Sequence, residues 1–116
     1  MFVEITREDD QLLLKLLHPR IDGSNHMLDA MTEFLGPEAL GDNAAVSGLR
    51  EIEIDFAAVN YLNSMGITEL VNLYRMATDR SRGRIQFRFI NVSNRIHSIL
   101  ELVEFTKLAD VQKTEA

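Results

Sequence analysis

The chain has 116 residues, 46% of them hydrophobic, no cysteine, and a formal net charge of -6 with a pI near 5.0. That length and apolar content support one core and one domain, taken as residues 1–111 with a polar tail at 112–116. The acidic balance argues against direct nucleic-acid binding, which rests on basic side chains meeting phosphates. The absence of cysteine excludes disulfide frameworks, thiol catalysis and thiolate-held metals, and fits a cytoplasmic protein.

The start, Met1-Phe2-Val3-Glu4, lacks the basic and apolar pattern of a signal peptide. Apolar runs such as Leu12-Leu13-Leu14 are far too short to span a bilayer, so no membrane insertion is expected. Residues 2–6 and 12–17 are β-prone and flank a polar stretch, Arg7 to Gln11, which predicts a hairpin with Lys15 near solvent. His18-Pro19-Arg20 ends the second strand, because proline cannot donate to a sheet ladder, and Asp22-Gly23-Ser24-Asn25 supplies turn and cap chemistry. A helix follows, with Met27, Leu28, Met31, Phe34 and Leu35 at spacings of three and four. Residues 36–48 show no sustained period and are expected to form a mobile loop.

Ile52, Ile54 and Phe56 then alternate with Glu53 and Asp55 as a strand, and Ile67, Leu70, Val71 and Tyr74 repeat at helical spacing. Asn63 suits the cap between them, which puts Ser64 on the first helical turn, where the helix dipole favours an anion. Arg80 to Gly83 breaks this helix. Ile85, Phe87 and Phe89 make another strand, and Val92-Ser93-Asn94 caps a last helix that turns Ile96, Ile99, Leu100 and Val103 inward. Phe105, Leu108 and Val111 are expected to seal the end. The order strand-strand-helix-strand-helix-strand-helix predicts an α/β domain, a mixed sheet of four to five strands packed with helices.

Three stretches in this order resemble the STAS domain, the family of sulphate transporters and anti-sigma factor antagonists. Ile21-Asp22-Gly23 is similar to the family's Leu-Asp turn. Ile54-Asp55-Phe56, leading through Tyr61-Leu62 to Asn63-Ser64-Met65-Gly66, resembles its Asp-Ser-Ser/Thr-Gly loop, and residues 99–108 resemble its closing helix. The resemblance implies a non-catalytic switch that needs no cofactor. A serine kinase of the anti-sigma type phosphorylates the loop serine, here Ser64, a PP2C-like phosphatase reverses it, and only the unmodified form holds the partner. Asn63 stands where aspartate is usual and Met65 where a second serine or threonine is common.

The implied partner surface comprises Asp22, Met65, Glu69, Asn72 and Met76. Met65, Asn72 and Met76 share one side of the helical wheel; flexible methionines suit docking, and they suit the flank of a core stripe equally well. From pattern alone, Ser64 is also an ordinary helix-start residue. Asp22 and Asp55 read as turn and strand-end charges rather than an acid–base pair, and His18, His26 and His97 lack metal-ligand spacing. Arg80, Arg82, Arg84 and Arg88 form a basic cluster that reads first as a solvated turn and second as a grip for an acidic partner. Two rivals remain: a constitutive scaffold or transporter accessory subunit without a switch, and a small nucleotide-binding domain.

Overall fold

Alternation of apolar and polar side chains sets the first two strands. The computed structural model describes residues 3–23, 50–81 and 85–113, with backbone alone for 79–81. Strand β1 (Val3–Glu8) and strand β2 (Gln11–Leu16) form the expected antiparallel hairpin. Glu8 pairs with Gln11, so Asp9 and Asp10 make a two-residue turn, with Asp9 in the left-handed region at φ +53°. Aspartate tolerates that conformation better than most residues. Leu12, Leu14 and Leu16 are buried, and Lys15 is exposed as predicted.

Strand β3 (Arg20–Ile21) is followed, across residues outside the described set, by β4 (Glu51–Asp55) and then β5 (Tyr61–Leu62). Helix α1 (Ser64–Ser81), β6 (Gln86–Val92), helix α2 (Asn94–Leu102), a 3-10 turn (Phe105–Lys107) and β7 (Asp110–Lys113) complete the chain. The main sheet has the order β1-β2-β4-β6-β7, antiparallel only at β1–β2. Parallel neighbours require crossovers, and α1 and α2 supply those from β4 to β6 and from β6 to β7. The result is the anticipated mixed α/β domain.

Register sorts the sheet into two faces. Leu14, Ile54, Phe89 and Val111 line up on one, beside Leu12, Ile52 and Phe87. This face meets Leu70, Leu73 and Ala77 of α1 and Ile96 and Leu100 of α2 in a single core. Phe89 lies 5.1 Å from Phe56 and 5.2 Å from Phe105, and Tyr74 meets Phe87 edge-on at 5.3 Å. The other face is polar: Glu4, Lys15, Asp55 and Ile90 form one row, and Leu13, Glu53, Arg88 and Asp110 the next.

Several details depart from expectation. Gln112 and Lys113 belong to β7 rather than to a polar tail, because backbone pairing with β6 places them in the sheet although Val111 is that strand's one apolar side chain. The buried stripe of α1 is Gly66, Leu70, Leu73 and Ala77, with Ile67, Val71 and Tyr74 half-buried, so the helix is rotated toward its small residues. Val103 and Leu108 are exposed instead of sealing the core, because α2 ends at Leu102 and Glu104 turns the chain at φ +61°. The helix expected over 27–35, the loop over 36–48, His26, Arg82, Arg84 and the side chain of Arg80 lie outside the described residues.

Candidate functional site

Two strands of two residues each frame the site. The carbonyl of Pro19 accepts from the N–H groups of Asn60 (2.8 Å) and Tyr61 (3.1 Å), and that of Ile21 accepts from Asn63 (3.3 Å). Arg20 thus lies beside Tyr61, and Ile21 beside Leu62. The Arg20 guanidinium stacks 4.1 Å from the centre of the Tyr61 ring and forms a loose ion pair with Asp22 at 3.7 Å. Both Arg20 and Tyr61 are exposed, which leaves a planar cation on an aromatic face at the surface.

Helix α1 starts directly after this small sheet. The Asn63 side-chain oxygen accepts from the Gly66 N–H at 2.9 Å, the capping role read from the sequence, while the Asn63 carbonyl accepts from Ile67 at 2.9 Å. Ser64 is the first helical residue; its side chain is exposed and its carbonyl accepts from the Thr68 hydroxyl at 3.0 Å. Gly66 is buried against β3: a β-carbon there would land on the Ile21 carbonyl oxygen and lie 2.7 Å from the carbonyl carbon. Gly23, at φ +94°, leaves its own β-carbon position 2.9 Å from Cβ of Met65. The Asp22-Gly23 turn therefore sits against Met65 as part of one surface with Ser64.

The structure brings Asp22, Asn63, Ser64, Met65 and Gly66 together. Met65 is 62% exposed and Asn72, further along α1, is also exposed. Glu69 is half-buried, and Met76 is half-buried against the core, so Met76 flanks the core as one of its two sequence readings had it. Sequence reasoning missed Arg20 and Tyr61. Both adjoin the quoted stretches, yet their stacking depends on a pairing of β3 with β5 too short to leave a periodic signal.

Asp55 is a turn-holding residue, accepting from the Ala57 N–H (2.9 Å) and from Asn91 Nδ2 (3.1 Å), while Asp22 faces Arg20. Among the described residues, no group of three or more His, Cys, Asp or Glu side chains forms a metal-holding cluster, and no helix is long and apolar enough to cross a membrane. On the polar sheet face, burial and the neighbouring Glu51 push the Glu53 carboxyl above its ordinary range; Arg88 opposes the shift and Asp55 adds to it. What the Ser64 region offers chemically is an accessible hydroxyl on a fixed first turn, where orphan backbone N–H groups and the dipole accommodate negative charge.

A search of the curated proteins found no match. Among solved structures, an anti-sigma-factor antagonist (STAS) domain protein from Planctomyces limnophilus aligns at a TM-score of 0.62 and 17% identity, covering 97% of this chain and 91% of that one. The Bacillus cell fate determinant SpoIIAA in its phosphorylated form aligns at 0.57 and 12%, covering 94% and 89%. The murine anion transporter Slc26a9 aligns at 0.65 and 11%, covering 95% of this chain and 17% of the transporter. At such identities the likeness is one of fold. The family model of the STAS domain matches residues 8–116, nearly the whole length, and the chain belongs to the STAS domain family.

Proposed function

We propose that this protein is an anti-sigma factor antagonist-like regulator of transcription. It acts in the cytoplasm and binds an anti-sigma factor or serine kinase-like partner through the surface around Ser64. Phosphorylation of Ser64 releases the partner, and a PP2C-like phosphatase resets the switch. The observation that carries this reading is the exposed Ser64 hydroxyl on a first turn held by Asn63, Gly66 and the β3–β5 pair. Phosphoserine adds roughly -1.5 to -2 charges and a bulky group. In a close interface that group clashes and repels. At the helix start the dipole returns about 0.3 to 1 kcal/mol, so modification changes binding and spares the fold. The structural likeness to a relative solved in its phosphorylated form supports the same reading.

The test is capture from native cell lysate on immobilised wild-type, Ser64→Ala and Ser64→Asp proteins, with bound proteins identified by mass spectrometry. A kinase or anti-sigma-like protein held by Ser64→Ala and lost by Ser64→Asp is the expected result, with melting temperatures within about 3 °C of each other. A second reading, a constitutive scaffold or accessory subunit, is favoured by the transporter that carries a domain of this fold. Equal retention of the same partners by all three proteins would establish that alternative and end the first.

A further inference from the structure

The polar face of the sheet lies opposite the core and takes no part in the Ser64 surface. At its middle is a concavity of about 330 Å³, with half-buried Leu13 and Ile90 as its apolar part and Glu4, Glu53, Asp55 and Lys15 around them. Register explains the mixture. Lys15 stands across from Glu4 on one side and from Asp55 on the other, so the lining of the concavity sets three carboxylates against one ammonium. Arg88, the next cation, is engaged by Glu51 at 3.2 Å and Asp110 at 3.5 Å. Gln11 bridges Glu51 (2.8 Å) and Glu53 (2.9 Å) with neutral amide hydrogens. The concavity therefore carries more negative than positive charge; burial first, and then the neighbouring Glu51, raise the Glu53 carboxyl.

We propose that this concavity is a second docking site, which takes a lysine side chain presented by an extended segment of a protein partner. The lysine stem matches the apolar Leu13 and Ile90 surface, and its ammonium reaches the carboxylates at the rim. Charge complementarity selects the occupant. An acidic segment meets Glu4, Glu53 and Asp55 unfavourably, and a purely apolar one strips water from carboxylates without replacing it. The site is independent of the phosphoacceptor surface, so its occupancy does not depend on the state of Ser64.

The test is an amide chemical-shift titration of the full chain with two pentapeptides, one alternating lysine with leucine and one alternating lysine with glycine. Saturable shifts centred on Leu13, Lys15, Glu53 and Ile90 are expected. The leucine peptide binds several-fold tighter, an advantage that Ile90→Ser removes. Glu53→Gln weakens both peptides about tenfold, the loss of one charge-assisted contact, and Ser64→Asp changes neither. Leu13→Ser repeats the test should Ile90→Ser disturb the spectrum of the free protein. Shifts spread evenly over the acidic surface, equal affinity for the two peptides, or full binding by Glu53→Gln would each overturn the proposal.

Discussion

At Gly66 two residue-level effects oppose each other. Alanine is the better helix former by about 1 kcal/mol. Against that, the added methyl group meets the Ile21 carbonyl, a backbone group that cannot swing aside. Overpacking of this kind costs about 1 to 3 kcal/mol, so the clash wins and Gly66→Ala is expected to lower the urea midpoint of unfolding. Glu53 gives a pH signature of the opposite kind. Its folded carboxyl holds the proton more tightly than the unfolded chain, whose reference value is 4.5. The stability it contributes is therefore present below that value and is lost as pH rises through the higher folded value. Glu53→Gln, which stays neutral, should melt above wild type at pH 7, and the difference should vanish near about pH 3.5. Thermal melts at the two pH values decide it: a constant difference would remove the titration from the explanation.

Among the elements, the helix caps offer the plainest tests. Asn63 caps α1 through the Gly66 N–H, and Ser93 caps α2 through the Ile96 N–H at 3.2 Å. Removing the α1 cap with Asn63→Ala should cost about 1 kcal/mol in chemical denaturation. Asn63→Asp keeps the capping oxygen and adds a charge at the positive helix end, so it should stabilise by about 0.3 to 1 kcal/mol. A destabilised aspartate variant would mean that the Asn63 amide is needed as a donor. The same scale shows what was legible in the sequence. The hairpin, β4, α1, β6 and α2 each run for five residues or more and announce themselves by period. Strands β3 and β5 have two residues each, so the pairing that sets Arg20 on Tyr61 could not be read. Strand β7 was hidden for another reason: its Asp110, Gln112 and Lys113 have the composition of a tail. The helix start at Ser64 and its Asn63 cap were legible because capping is local, whereas the burial of Met76 depends on how α1 is rotated against the sheet.

For the molecule as a whole, one core connects helix α1, which carries Ser64, to the last crossover. Phe105 is almost fully buried, 5.2 Å from Phe89 and 6.0 Å from Tyr74 of α1, so the turn after α2 is fastened to the same cluster as the helix that presents Ser64. The residues around it behave differently. Leu102, one turn earlier, is 82% exposed, and Leu108 is 46% exposed. Phe105→Ala should cost about 3 to 5 kcal/mol, the range for emptying a buried aromatic site. Leu102→Ala should stay within about 0.5 kcal/mol of wild type, because it empties nothing. Because the cluster is shared, the Phe105→Ala loss should appear as one cooperative transition seen alike by far-ultraviolet circular dichroism and by tyrosine fluorescence from Tyr74 and Tyr61. Separated transitions would show that the C-terminal crossover unfolds alone, and helix α1 would then owe its position to β3 and the sheet rather than to Phe105.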